Sequence, residues 1–408
     1  FSSTFSCLGS NYRMKFSTLA LLSISAPLVS AALVVDVAAD GKVELHKPIG
    51  EDGEGEYTAS TKGCFDVIEA ALPLVLDSIS SVPMPSGGNP FVVADYGTAD
   101  AGTSLGTMSK IVEAVRSRDP KIEIALQYED QKDNEWKSVF NHALGHKTVT
   151  DAYGVELSSP YDPSNGVFVS ATGIGFHSQA YPSSSVDFGM SYTAMHWLSR
   201  GPGGLVGRPG EMHAANCDLS SDSSCGAAEK EQAAKDFHNI ITSRAAELKK
   251  GGRMVIVNFS KSPEGHYLGK TDVGVSMWDS FAHSWSRLHD EGLIDAEELT
   301  SISFPSYYRS IDEVKQGAEA VSGIKVVSVE EKVVKCPYRE AWNSGSSKKA
   351  GRSAREHAEW YVPTTRTWSE STFKNALKAD RTDKDEVLAK FWSNYVDLVE
   401  KDPSVHGM

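Results

Sequence analysis

One stretch, Phe91–Gly106 with the sequence FVVADYGTADAGTSLG, constrains the fold of this chain more than any other. The apolar run FVVA delivers an acid, Asp95, straight into small and turn-forming residues. That order predicts a buried strand, a tight loop, and a helix starting near Thr103. Small residues at Gly97, Ala99, Ala101 and Gly102 let a ligand approach the backbone closely. Free N–H groups at the helix start favour anionic or carboxylate groups. In the dinucleotide fingerprint the glycine follows the strand at once and the acid lies farther on. An acid ahead of the glycines instead suits a ligand that also carries positive charge, such as the ammonium and sulfonium of S-adenosylmethionine. Taken alone, the loop serves equally well as an ordinary strand-to-helix turn.

A second β-type run, Ile122–Asp130 (IEIALQYED), ends in the pair Glu129–Asp130. In a doubly wound sheet, an acid at the end of the second strand is placed to take ribose hydroxyls. A solvated charge after a strand is the plain alternative, and the spacing from the first loop weighs against it. Phe65–Ser78 reads as helical, with Pro73 inside, and Ser109–Arg118 continues the helix that follows the glycine loop. Further strands are expected at Gly166–Ser170, Arg253–Phe259 and Ile324–Val334. Val186–Leu198 opens as a strand and continues as a helix-like aromatic segment. Apolar residues recur at helical spacing from Phe237 to Leu248, with Gly251-Gly252 as the stop. Val275–Gly292 reads as helical, as do segments from Ser371 and from Asp385. This alternation means an α/β fold with a mostly parallel sheet.

Composition removes several classes of function. Net charge is −14, and no Lys/Arg-rich stripe interleaves with aromatics, so nucleic acid is not an expected partner. No uninterrupted apolar run of ~18 residues lies beyond the N-terminal region, so no membrane span is expected in the mature chain. Met14, Lys15 and the following STLALLSISAPLVSAA have the layout of a signal peptide, with Val29-Ser30-Ala31 as the small-residue cleavage site. Residues 1–31 are accordingly expected to be upstream residues plus leader. The address is then the secretory pathway or a secretory-derived organelle, or the cytoplasm if the leader is not used. Five cysteines are too few for a disulfide framework, although Cys217 and Cys225 lie in a Ser-rich loop and pair if the lumen is oxidising. No CxxC or His-x-x-x-His spacing supports a zinc site.

Gly102-Thr103-Ser104-Leu105-Gly106 fits the G-x-S-x-G nucleophile elbow of hydrolases. That elbow needs the strand to run directly into the serine turn, whereas here a small-residue loop intervenes. No triad acid or histidine has a clear signature later in the chain.

A series of motifs then resembles the SABATH methyltransferases, which methylate carboxyl groups or ring nitrogens of small plant-type metabolites. The pieces fall in the family's order from about Gly53 to the C-terminus: GEGEYTAS, VADYGTADAGTSL, YEDQ, GFHSQAYPSSS, MHWLS, LKKGGRMVIVNF, EGLI and SFPSYYRSIDEVK. The resemblance implies a Rossmann-like class I methyltransferase sheet with a helical cap over the active site. The first part of the core is expected over 44–262, the cap over 263–310, and core completion with C-terminal helices over 311–408. It implies S-adenosylmethionine as cofactor, held by Tyr57, Asp95, Gly97, Thr98, Thr103, Asp130, Gln131, Gly175 and Phe176. Thr98 and Thr103 stand where the plant enzymes usually have Cys and Asn. On the acceptor side, His196 and Trp197 fall at the substrate-facing aromatic pair. Cys64 replaces a substrate-contacting Gln, and Thr193 replaces a tyrosine. Thr300 and Ser303 stand at positions proposed for a metal in some relatives, so no metal is expected.

The implied reaction is methyl transfer to a small-molecule acceptor, most simply a carboxylic acid giving a methyl ester. N-methylation on the same fold, or a silent S-adenosylmethionine-binding protein, are the alternatives, and a homodimer is compatible with either. A carboxylate is ionised at neutral pH, with a pKa near ~4, so the reaction needs no general base and no catalytic residue is expected. Trp197 donates only through its indole N–H, which suits an oxygen acceptor, and Phe176 and Tyr192 lie nearby in the motif series.

Overall fold

The computed structural model describes residues 19–25, 50, 52–270 and 275–407. Met14, Lys15 and Val29-Ser30-Ala31 lie outside the described residues. The strands are β1 (Leu19–Ser25), β2 (Phe91–Tyr96), β3 (Ile124–Glu129), β4 (Val149–Thr150), β5 (Glu156–Leu157), β6 (Val167–Thr172), β7 (Val186–Tyr192), β8 (Leu248–Lys261), β9 (Arg309–Ser310) and β10 (Lys325–Lys332). The first eight helices are α1 (Glu56–Ser60), α2 (Lys62–Ser81), α3 (Leu105–Arg118), α4 (Trp136–Ala143), α5 (Ala227–Glu247), α6 (Met277–Asp290), α7 (Ala296–Ser301) and α8 (Ile311–Glu319). After β10 come α9 (Pro337–Asn343), α10 (Ser346–Lys349), α11 (Ala354–Ala376) and α12 (Lys384–Lys401).

The main sheet has the order β6-β3-β2-β7-β8-β1-β10, with β9 pairing on the end of β8. From β6 to β8 every neighbouring pair is parallel. β1 is antiparallel to both β8 and β10, so β10 runs with β8 and six strands share one direction. All six residues of β2 are buried, as a strand covered on both faces requires. The chain leaves β2 for β3 on one side and later returns to β7 on the other. This reversal opens a crevice at the carboxyl end of β2, where α/β sheets bind ligands.

Helices α2 and α3 cover one face through Val75, Ile79, Met108, Ile111 and Val115. Helices α5 and α8 cover the other through Phe237, Ile240, Ile241, Val314 and Ala318. A separate aromatic core joins α6, α7, α11 and α12, with Trp278, Phe281, Trp285, Trp368, Phe373 and Phe391 inside it. Its rings meet edge to face, as Phe281 and Phe373 do at 5.3 Å and 80°. Tyr57, Trp197 and Phe259 pack against this core, so the helical layer meets the sheet above the ends of β7 and β8.

Three segments depart from expectation. The aromatic segment after β7 is a turn and not a helix. Thr193 takes a left-handed φ of 50°, and its N–H donates to Val257 O at 2.7 Å. The turn is then pinned from outside, by Leu198 N–H to Pro305 O at 2.7 Å and Tyr307 N–H to His196 O at 3.0 Å. Gly251-Gly252 does not stop α5, which ends at Glu247; the pair lies inside β8, where the register against β7 shifts. A Cβ at Gly252 would come within 2.9 Å of Lys249 O and 3.0 Å of Asp187 O, so only glycine fits that irregularity. The helix expected from Ser371 begins far earlier, at Ala354, behind a capping box of Ser353 and Glu356.

A buried ion pair ties α5 to β2. Arg244 donates to both Glu247 oxygens, Nε at 2.8 Å and Nη2 at 2.7 Å, and its guanidinium lies 4.3 Å from the centre of the Tyr96 ring. Tyr96 Oη donates to Glu247 Oε2 at 2.5 Å, and Glu247 Oε1 accepts from the Ala180 and Tyr181 N–H groups. Both charged side chains are about fully buried. Arg244→Met leaves Glu247 charged and buried without its partner. The expected outcome is a loss of ~3–5 kcal/mol, measured by urea unfolding.

Candidate active site

The loop after β2 is built from left-handed residues. Gly97 (φ 74°), Ala99 (φ 51°) and Ala101 (φ 64°) reverse the chain in three steps. At Gly97 the need for glycine is absolute, since a Cβ would lie 2.3 Å from that of Ala194. Non-glycine residues in this region of φ are uncommon and mark a loop whose surroundings fix its shape. The N–H groups of Gly97 and Thr98 donate to Glu129 O at the end of β3, which locks the loop to the neighbouring strand.

Three carboxylates converge on this loop, those of Asp95 and Glu129 buried and that of Asp130 half-buried. Asp95 Oδ2 accepts from Ser104 Oγ at 2.7 Å and from Thr98 Oγ1 at 3.0 Å. Asp130 Oδ2 accepts from Ala99 N–H and Oδ1 from Gln131 N–H, each at 2.8 Å. Glu129 Oε2 accepts from Gly97 N–H at 3.1 Å, while Oε1 is buried with no hydrogen-bond partner. Burial raises Asp95 to about 6 and Asp130 to about 7, against hydrogen bonds that lower both. Burial, then the charge of Asp130, also pushes Glu129 up. Acids held this far from water favour a cationic ligand beside them. A sulfonium and an ammonium supply that charge, so S-adenosylmethionine fits the residues present.

Every residue that the sequence assigns to the cofactor or the acceptor lines one of three adjoining cavities. The largest of the three, of about 80 Å³, is lined by Gly97, Asp130, Gln131, Gly175, Phe176 and the Tyr57–Thr193–Trp197 edge. A smaller one of about 20 Å³ beneath the loop is lined by Asp95, Thr98, Thr103 and Tyr192. The third, of about 40 Å³, is walled by Cys64, His196, Trp197, Phe259, Tyr308 and Trp368. Tyr57 and Thr193 border all three. Thr300 and Ser303 border none of them; Thr300 Oγ1 donates to Ala296 O within α7.

The third cavity has a distinct chemistry: among the described residues no Asp, Glu, Lys or Arg lines it. Tyr57 Oη and Cys64 Sγ are 3.6 Å apart. Burial pushes both the Tyr57 hydroxyl and the Cys64 thiol up, so each keeps its proton at neutral pH and acts as a neutral donor. His196 is stacked into the wall, 5.2 Å from the Trp197 ring and 5.1 Å from Phe259.

Sequence reasoning missed the group that positions Tyr57. Asp100 Oδ2 accepts from Thr58 N–H at 2.9 Å, Oδ1 accepts from Thr58 Oγ1 and Gly102 N–H, and Asp100 O meets His142 Nδ1 at 2.7 Å. Helix α1 is thereby fastened to the glycine loop one residue from Tyr57. An acid inside the ADAG run was the available signal. Phe259, Tyr308 and Trp368 were also missed as pocket walls, because they come from three distant elements.

Comparison with known proteins gives this geometry a context. A family model described as SAM dependent carboxyl methyltransferase matches residues 43–404. The chain is 26% identical over 281 residues to a probable jasmonic acid carboxyl methyltransferase of Theobroma cacao, covering 66% of this chain and 72% of that one. It is 24% identical to a benzoic acid/salicylic acid carboxyl methyltransferase of Petunia hybrida, covering 76% and 83%. A probable 7-methylxanthine methyltransferase of Theobroma cacao is 25% identical, covering 72% and 79%. Among solved structures, loganic acid methyltransferase with SAH matches with a TM-score of 0.66 at 17% identity, covering 86% of this chain and 92% of that chain.

The raised carboxyls set a pH dependence. A group whose folded pKa lies above its unfolded value of ~3.9 adds stability that is complete below that value. It is lost as pH rises through about 6 for Asp95 and about 7 for Asp130. Cofactor binding has the opposite sign, because the cation prefers the ionised acids. The melting increment from S-adenosylmethionine should therefore grow between about pH 5.5 and about pH 8, while these groups lower the ligand-free melting temperature. Calorimetric melts across that range check it, and a constant increment would remove both acids from the cofactor's charge.

Proposed function

Because the chain belongs to the family of S-adenosylmethionine-dependent carboxyl methyltransferases, we propose that its acceptor is a small, partly apolar carboxylic acid and its product the methyl ester. The observation that carries this is the uncharged acceptor cavity beside the acid-rich loop. A carboxylate buried there finds its counter-charge in the sulfonium, and neutral donors suffice to orient it. A phosphate or other dianion would lack the Arg or Lys such groups need.

S-adenosylmethionine supplies a methyl group already activated by its sulfonium. Asp95, Asp130 and the loop backbone would hold the cofactor's polar groups, and Phe176 would cover its adenine side. Trp197, Tyr57 and Cys64 would donate to the acceptor oxygens. Phe259, Tyr308 and Trp368 exclude water around them, which strengthens each of these contacts. Orientation and desolvation then carry the reaction, with no proton to move.

A second reading is methylation at nitrogen. His196 on the cavity wall supports it, since an N–H acceptor must lose a proton, and the likeness to a 7-methylxanthine methyltransferase points the same way. Incubation with S-adenosylmethionine and a panel of aromatic and aliphatic acids, read by mass spectrometry, tests the proposal. Methyl esters are expected. Cys64→Gln restores the amide of the plant relatives and should lower KM for simple aromatic acids about tenfold, the worth of one good hydrogen bond to a charged group. An enlarged KM, with the native product methylated on nitrogen, would leave only the broader methyltransferase activity standing.

We further propose a secretory or secretory-derived address read from Met14. Leu19–Ser25, inside the expected leader, pairs with β8 and β10, so removal at Ala31 and retention in the sheet are exclusive fates. N-terminal sequencing of the native protein should find a start near Ala32. A chain that retains Leu19–Ser25 refutes the leader.

A further inference from the structure

A side chain leaves its Cα in a direction set by the two peptide planes that flank it. At Trp197 both planes are held at both ends. In the plane shared with His196, His196 O accepts from Tyr307 N–H at 3.0 Å and Trp197 N–H donates to Ala194 O at 3.1 Å. In the plane shared with Leu198, Leu198 N–H donates to Pro305 O at 2.7 Å. The fourth contact comes from a side chain: His177 Nε2 lies 3.1 Å from Trp197 O. A carbonyl oxygen only accepts, so the His177 proton sits on Nε2. Burial lowers the pKa of that imidazole against the charge of Asp236, and the charges of Arg309 and Arg244 lower it further. At neutral pH the ring is therefore a neutral donor of defined tautomer.

His177 is itself firmly carried. Arg244 Nη1 donates to Phe176 O and Nη2 to Ser178 O, each at 2.8 Å, so the residues on both sides of His177 are fastened to the buried ion pair of α5. The His177 ring centre is 4.5 Å from that of Phe176. His177, Phe176 and Trp197 line the largest of the three adjoining cavities, and Trp197 lines the acceptor cavity as well. The imidazole thus joins the wall assigned to the cofactor to the turn that carries the indole. Earlier in the turn, Met195 O accepts from Arg309 Nη1 at 2.9 Å, so three successive carbonyls are gripped from outside. Arg309 is buried and also holds Ala233 O at 2.7 Å, which makes it part of the frame. His177 is half-buried at the cavity edge, where a substitution leaves the core closed.

We propose that His177 is a positioning residue: by donating from Nε2 to Trp197 O, it aims the Trp197 indole at the acceptor. This rests on the role given above to Trp197 as a donor to the acceptor. Without that donor, the peptide after Trp197 keeps only its Leu198 end, its carbonyl is free to rotate, and the indole turns with it. What is lost is aim, since His177 makes no bond to the acceptor itself.

His177→Phe keeps a ring against Phe176 and removes the donor, while His177→Gln sets an amide N–H close to the place of Nε2. The first readout is the indole N–H resonance of Trp197 in isotope-labelled protein with S-adenosylmethionine bound, identified by its loss in Trp197→Phe. It should move in His177→Phe and return in His177→Gln. With benzoic and octanoic acids, kcat/KM for ester formation should fall at least about tenfold in His177→Phe and largely recover in His177→Gln. Placed on top of Trp197→Phe, His177→Phe should cost nothing further, because its effect passes through the indole. A retained melting increment from S-adenosylmethionine shows that each variant is folded, and the smaller His177→Leu replaces His177→Phe should that one lose it. An unmoved resonance, an unchanged kcat/KM, or a full additional loss on top of Trp197→Phe overturns the positioning role and leaves the carboxyl reading intact. A displaced resonance, with no ester formed from either acid by the unaltered protein, overturns the carboxyl reading and leaves the positioning role standing.

Discussion

The site depends on one buried carboxylate, that of Asp100. It accepts from Thr58 on α1 and from Gly102 within its own loop, and so joins two pieces of chain that have no other reason to meet. The join is tight on both sides. A Cβ at Gly102 would fall 2.3 Å from Thr58 Oγ1, and one at Gly55 would fall 2.5 Å from the His142 ring. Ser138 Oγ and Glu135 add contacts to Gly55 and Gly53 at 2.8 Å and 3.0 Å. The five-residue helix α1 is far too short to be stable alone. Its position is a tertiary fact, and it places Tyr57 where the three cavities meet.

A second constraint is the management of negative charge. Asp95, Glu129 and Glu247 are buried, and Asp130 is half-buried, around the ends of β2, β3 and α5. Only Glu247 has a full cationic partner, Arg244, whose remaining N–H groups reach Phe176 O and Ser178 O at 2.8 Å each. The cation that balances one acid therefore also shapes the segment carrying Phe176. Among the described residues the other three acids accept from hydroxyl and backbone N–H groups and pair with no cationic side chain. Stability and binding draw on the same few groups, with opposite dependence on protonation.

Much of this was legible in the sequence because it is local. The strand, the acid and the small residues after it occupy one continuous stretch, and the second acid follows one helix later, so a doubly wound sheet and its ligand crevice could be read directly. The turn Thr193–Leu198 was misread because its aromatic spacing imitates a helix, while the residues that pin it, Pro305 and Tyr307, lie more than a hundred positions on. Asp100 was passed over for the same reason, its partner Thr58 being 42 residues away. The start of α11, by contrast, rests on a local signal, the capping box of Ser353 and Glu356 that the sequence displays. Pro363 lies in the interior of that helix, which its packing in the aromatic core holds together in spite of the lost backbone donor.

The aromatic layer formed by α6, α7, α11 and α12 has a consequence for descent. The largest of the three cavities is lined mainly by loops at the sheet edge, whereas Leu268, Tyr308 and Trp368 reach the wall beside Trp197 from chain beyond β8. Tyr308 and Trp368 belong to the aromatic core, and Leu268 packs against it. Substitution within that layer can reshape this one cavity while the loop after β2 keeps its form. A fold divided this way can vary one wall by small steps, each passing through a protein whose sheet is unchanged.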